Sequence, residues 1–192
     1  MSNKILNIIL PIPVSVNQAY KPRTILTGGR TIASIYKTAE AKQYQKYATQ
    51  AIQREIKLQH WISNPLDKNL YVCVDAVVYF NRTDMDVNNL WKLLLDSLRD
   101  TQMIVPDDNK VLERAVRVYY DIKNPRVELE IYYAPYVGIF NDDEQYENFI
   151  KKNCNHCTRQ KRNCSIIAKA IESRIQIEIN LIDLSCSKLK LK

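Results

Sequence analysis

At 192 residues, 46% of them hydrophobic, the chain can bury one sizeable core and leave residues over for a small appendage. No apolar run reaches the roughly 18 residues of a membrane span, and the stretch from Ile5 to Val16 is broken by Pro11 and Pro13 and has no small-residue cleavage site, so it reads as the first strand of a cytoplasmic protein. Five cysteines, with Cys73 alone in an apolar run and the other four after residue 150, argue against a secreted disulfide framework. The net charge of +7 is unevenly spread: residues 1–70 carry ten Lys or Arg against three acids, 71–150 eight against fifteen, and 151–192 ten against three. Two basic regions around an acidic one suit a protein that holds a polyanion while a metal neutralises its acids; the plainer alternative is a lysine-rich solvated surface.

Along the chain, Ile5–Leu10 is short, β-branched and stopped by Pro11, which predicts a strand. A loop holding Pro13, Asn17, Tyr20 and Pro22 follows, and Gly28-Gly29 between two β-favouring triplets has the composition of a hairpin turn. Thr38 is a good N-cap for a long helix reaching about His60, with Tyr44, Tyr47, Ala48, Ala51 and Ile52 at helical spacing. Asn69–Phe80 is rich in Val and Tyr and fits a strand buried on both faces or nearly so. A second helix is expected from about Val87 to Arg99, with Trp91, Leu94, Leu95 and Leu98 on a core face and Asn88, Lys92 and Asp96 as a polar stripe beside it. Pro106-Asp107-Asp108-Asn109 reads as a turn, and Val111–Tyr120 and Arg126–Tyr133 as two strands. Beyond Pro135 the character changes to an acidic patch at Asp142-Asp143-Glu144, a group of cysteines and a helix-like Ser165–Ile179.

Carboxylates stand at the ends of these elements: Asp84 and Asp86 where a strand runs into a helix, and Asp107-Asp108 in the turn after that helix. If strand, helix and strand pack as one unit, the ends can converge into an oxygen-ligand site for Mg²⁺ of the kind that serves phosphodiester hydrolysis. Lys92, one turn after Asn88, would then contact a phosphate oxygen, or else pair with Asp96 at i,i+4. The ordinary alternative is N-capping by Asp86 and turn formation by Asp107 and Asp108.

The order Asp86-x-Asn88-Asn89-Leu90-x-Lys92-x-x-x-Asp96-x-Leu98, followed by Asp107-Asp108-x-x-Val111, resembles the signature of the RusA family of Holliday-junction resolvases. Pro13-x-Ser15-x-Asn17-x-x-Tyr20, Gly29-Arg30-Thr31 and Tyr36-Lys37-Thr38 are similar to that family's opening, so the resemblance covers about residues 5–133. It implies a homodimeric, Mg²⁺-dependent endonuclease that nicks branched DNA at four-way junctions in recombination, repair or a prophage setting. Asp86 would be the first metal-binding aspartate, Asp108 the last and Lys92 the catalytic lysine, while the family's second aspartate falls on Asn88. Asp84 compensates, or Asp84 and Asp86 are the true pair with a two-residue insertion before Asn89, or catalysis is weakened and a regulatory junction-binding protein remains. An RNA-directed nuclease is a remoter alternative.

Cys154-x-x-Cys157, Cys164 and Cys186, with His156 between the first pair, have the count of a Zn²⁺ site, and an iron–sulfur cluster uses the same ligands; the alternative is a set of reduced, partly buried thiols. A metal there would fold a small segment and present Arg159, Lys161 and Arg162 to DNA. The resemblance says nothing about this module. The expected architecture is α+β, a mixed sheet with two main helices over residues 1–136, plus a small helical, cysteine-containing extension over 137–192.

Overall fold

The computed structural model describes residues 5–61, 70–104, 108–159 and 163–191. The chain divides into two compact units, Met1–Lys68 with Val72–Tyr133, and Asn69–Tyr71 with Ala134–Lys192. In the first unit β1 (Leu6–Pro11), β4 (Val72–Phe80), β5 (Val111–Tyr120) and β6 (Arg126–Tyr133) form one sheet in the order β1-β6-β4-β5. The β4–β5 pair is parallel and the other pairs are antiparallel, so the sheet is mixed and the fold is α+β. Alternate residues of β1, β4 and β6 are sealed, among them Leu6, Ile8, Val74, Val78, Leu129 and Ile131. They meet Ala48, Ile52 and Ile56 of α2 (Ala39–Leu58) and Leu94 and Leu98 of α3 (Trp91–Asp100) in a single core.

Local chemistry sets the ends of these elements. Thr38 caps α2, its Oγ1 accepting from the Ala41 N–H at 3.4 Å. Gly28 and Gly29 take φ of +58° and +75°, which the two-residue turn between β2 (Tyr20–Thr27) and β3 (Arg30–Lys37) demands. This hairpin is longer than the sequence suggests: Tyr20 and Pro22 belong to β2, and a single helical turn, α1 (Val16–Ala19), precedes it. β4 is not buried on both faces; its residues alternate between sealed and half-buried because the helices cover one side of the sheet. The second helix begins at Trp91, after a 3₁₀ turn over Val87–Asn89 tightened by the Asp86 side chain accepting from the Asn88 N–H.

In the second unit α4 (Asp143–Phe149), capped by Asp142, runs on through a π turn to Cys154. The predicted helix from Ser165 stops at Ile171 (α5) instead of Ile179, because Ser173 takes φ +61° and the Arg174 N–H closes back on the Lys169 carbonyl at 3.0 Å. The remaining residues make the short pair β7 (Ile179–Asn180) and β8 (Ser185–Cys186). Gly138 lies so close to α5 that a Cβ on it would stand 2.0 Å from the Ala170 carbonyl oxygen. Phe140, Phe149, Ala170 and Ile179 form this unit's own small core.

Leu98 is fully buried between α2, α3 and the sheet. Leu98→Ala should lower unfolding free energy by about 2–5 kcal/mol, the usual cost of a truncated core leucine, measured by chemical denaturation.

Candidate active site

Where β4 ends, the chain turns at residues 81–86 before entering α3. A cavity of about 340 Å³ opens there, lined by polar side chains that include Ser15, Gln18, Glu40, Arg82, Asp84 and Asp86. Asp86 does what an N-cap does: Oδ1 accepts from the Asn88 N–H at 2.9 Å and Oδ2 lies 3.5 Å from Asn89 Nδ2. Asp84 pairs with Arg82 Nε at 3.1 Å, both side chains about two-thirds exposed. Asn88 is exposed and does not line the cavity. Glu40 does line it and went unnoticed in the sequence, because a glutamate in the first turn of a helix is in its ordinary place and only the fold brings α2 to the end of β4.

Lys92 is not among the residues lining this cavity. Its Nζ lies 3.1 Å from Oδ1 of Asp96, one turn on, as the i,i+4 alternative expects. Asp96 itself departs from the expected polar stripe, for it is 3% exposed. Its Oδ2 accepts from the Tyr20 hydroxyl at 2.8 Å and from Lys37 Nζ at 2.9 Å, and Arg99 Nη2 stands 3.3 Å from Oδ1. Burial pushes this carboxyl's pKa up, but hydrogen bonds from Lys37, Tyr20 and Lys92 outweigh it, so the group is held below the ordinary carboxylate range. Burial and the Asp96 hydrogen bond raise the Tyr20 phenol to about 12, so it remains a donor throughout the neutral range.

Of the expected convergence of Asp84 and Asp86 with the later aspartates, the described residues show only where the backbone of Asp108 lies. Asp108 opens the 3₁₀ turn that leads into β5, and β5 starts at Val111 opposite Val72, the first residue of β4. The Asp86 cavity belongs to the other end: its Ile12 and Pro13 follow Pro11, which pairs with Arg126, itself opposite Tyr79. Eight residue steps along β4, about 26 Å at the usual strand rise, separate the two ends. Asp107 and the side chain of Asp108 lie outside the described residues. Among the described residues no three His, Cys, Asp or Glu side chains are grouped to hold a metal ion.

Residues 11–132 match the family model of the endodeoxyribonuclease RusA. The chain belongs to the RusA family. The match takes in all of the acidic turn, α3 and the buried charge cluster, and it ends before Ala134, where the main part of the second unit begins. No curated protein matches the chain. Membership makes it kin to endonucleases that resolve Holliday junctions, and no helix among the described residues is long and apolar enough to cross a membrane.

Outside the RusA match, Cys154, Cys157, Cys164 and Cys186 line one cavity of about 440 Å³ in the second unit, with Arg159 and Lys188 beside them. None of the four is joined in a disulfide, and among the described residues they share the cavity without being grouped as a ligand set. Burial, and then the neighbouring Cys164, Cys186 and Cys157, push the Cys154 thiol up to about 11. His156 is exposed, and Lys161 and Arg162 lie outside the described residues.

The depressed Asp96 carboxyl gives a pH signature. A group held low in the folded state contributes stability that is present above its ordinary value of 3.8 and lost as pH falls through the lower folded value. Acid titration of unfolding free energy should therefore steepen below about pH 4, and Asp96→Asn should lower stability at neutral pH while flattening that acid limb.

Proposed function

We propose that this RusA-family chain is a Mg²⁺-dependent endonuclease that nicks four-way DNA junctions in the cytoplasm, acting as a homodimer. The observation that carries the reading is the polar cavity at the end of β4, where Asp84, Asp86 and Glu40 face a space large enough for a phosphate and its counter-ion. An all-oxygen donor set suits a hard cation such as Mg²⁺. Asp86 and Asp84 would hold it, and the ion when bound would supply Lewis-acid stabilisation of charge on the scissile phosphate. Lys92, fixed by Asp96 on the following turn, supplies a positive charge to a phosphate oxygen.

The places of these aspartates in the chain support a homodimer. Asp86 and Asp108 are at opposite ends of the β4–β5 pair, so a site that uses both draws Asp108 from a second protomer. Two such sites related by a twofold would match a substrate cut on two strands. A second reading, a junction-binding protein with weakened catalysis, is favoured by one observation: Asn88, neutral and exposed, stands where the family has an aspartate.

Incubation with a synthetic four-way junction and Mg²⁺ separates the two readings. Symmetric nicks that fall at least about 100-fold in Asp86→Asn support the nuclease, since removal of one such electrostatic group commonly costs two to three orders of magnitude. Binding without nicking in either Mg²⁺ or Mn²⁺ establishes the binder instead. Mixed dimers of Asp86→Asn with Asp108→Asn then test the shared site: each pairs one doubly damaged site with one intact site, so single nicks should reappear. Mixed dimers as inactive as their parents would place each site within one protomer.

A further inference from the structure

The β2–β3 hairpin takes no part in the cavity at the end of β4, nor in the four-stranded sheet. Its sixteen residues are exposed or half-buried along both strands, an unusual state for a two-stranded ribbon, which is marginal in water without a surface to cover it. The register shows how the two faces differ. In an antiparallel pair, residues directly opposite project to the same side. Lys21 opposite Tyr36, Arg23 opposite Ser34, Ile25 opposite Ile32, and Thr27 opposite Arg30 therefore share one face. That face carries three cations and no acid, an Arg23 guanidinium 5.7 Å from the centre of the Tyr36 ring, and an apolar pair near the tip.

The opposite face holds the anchor. Tyr20 and Lys37, paired at the base of the ribbon, both donate to Oδ2 of Asp96 on α3, and the Thr38 N–H donates to the Ala19 carbonyl at 2.9 Å. The ribbon is thus held at its base to the helix that carries Lys92, while its basic face is left to solvent.

We infer that this hairpin is a DNA-binding arm: Lys21, Arg23 and Arg30 contact backbone phosphates, and Ile25 and Ile32 rest against the exposed bases of a branched or distorted duplex. Charge and shape select this occupant. Three cations without an acid on one strip suit a polyanion, a two-stranded ribbon fits a DNA groove, and apolar side chains at the tip of a basic element are the usual means of contacting unstacked bases. The inference deepens the proposed nuclease function but does not need its chemistry.

Its test is metal-free binding of a fluorescent four-way junction and of plain duplex, across a range of salt concentrations, with the full-length protein. Each lost phosphate contact lowers the slope of log K against log salt by about 0.9. Arg23→Gln with Arg30→Gln should therefore cut the slope by nearly 2, whereas Lys46→Gln with Lys57→Gln, which removes equal charge from α2, should leave it almost unchanged. Ile25→Thr with Ile32→Thr should keep the slope and reduce the preference for junction over duplex several-fold. Equal losses in the hairpin and α2 pairs would reduce the arm to general surface charge and overturn the inference. So would gel filtration showing the hairpin variants to be monomers of a dimeric parent, since the ribbon would then pair two copies of the chain. Nicking by the parent, read separately with Mg²⁺, keeps failure of the arm distinct from failure of the nuclease reading.

Discussion

One buried carboxylate ties the β2–β3 hairpin to α3 in the first unit. Asp96 has almost no exposure to water, a position that costs several kcal/mol for an ion unless partners replace the lost hydration. The partners come from three places in the sequence: Tyr20 and Lys37 from the two ends of the hairpin, and Lys92 and Arg99 from the neighbouring turns of α3. Because Oδ2 serves the hairpin and Oδ1 serves Lys92, the aim of the lysine and the seating of the ribbon depend on the same side chain. A hydrophobic residue at this position could pack as well, but it would leave Lys37 and Lys92 without the charge that directs them.

Much of the scaffold was legible in the sequence because its signals are local. Thr38 before an alanine-rich amphipathic run, Gly28-Gly29 between β-branched triplets, and Pro11 after Ile5–Leu10 each act within a few residues, and the structure places a helix, a turn and a strand where they indicate. The same holds for the acidic turn after β4, which lies between a Val- and Tyr-rich run and apolar residues at helical spacing. What escaped were properties decided at long range. Asp96 looked like a solvated stripe because its spacing from Lys92 is helical; that residues 59 and 76 positions earlier would close over it is a tertiary event. Glu40 escaped for the same reason, since only the fold brings the first turn of α2 to the end of β4. The end of α5 escaped because Ser173 adopts a left-handed backbone conformation that serine does not advertise.

The position of the two aspartate groups is the most instructive difference. A strand, a helix and a following strand do form a compact unit, but a parallel crossover returns the chain to the end of the sheet from which it started. Elements adjacent in sequence therefore deliver their connecting turns to opposite ends, the first turn after β4 and the second before β5. Convergence of Asp86 with Asp108 would have been natural for an antiparallel pair. For a parallel pair the site proposed above would need another copy of the chain, so strand direction, which the sequence pattern leaves open, bears on whether that site could be complete in a monomer.

The neutral Asn88 then has to be weighed against what the cavity already contains. Asp84 is engaged with Arg82, but both side chains lie largely in water, where such a pair is worth about 0–1 kcal/mol. A divalent ion competes easily with an interaction of that size, so Arg82 does not prevent Asp84 from turning to a ligand. Asp86 gives up little either, because its cap to the Asn88 N–H uses Oδ1 and leaves the second oxygen with only a long contact to Asn89. The exchange of a carboxylate for an amide at Asn88 removes charge from a residue that does not line the cavity, whereas Asp84 adds charge from a residue that does. On these energies Asp84 and Asp86 would stay available to the ion proposed above, and the remaining demand of that proposal falls on Asp108.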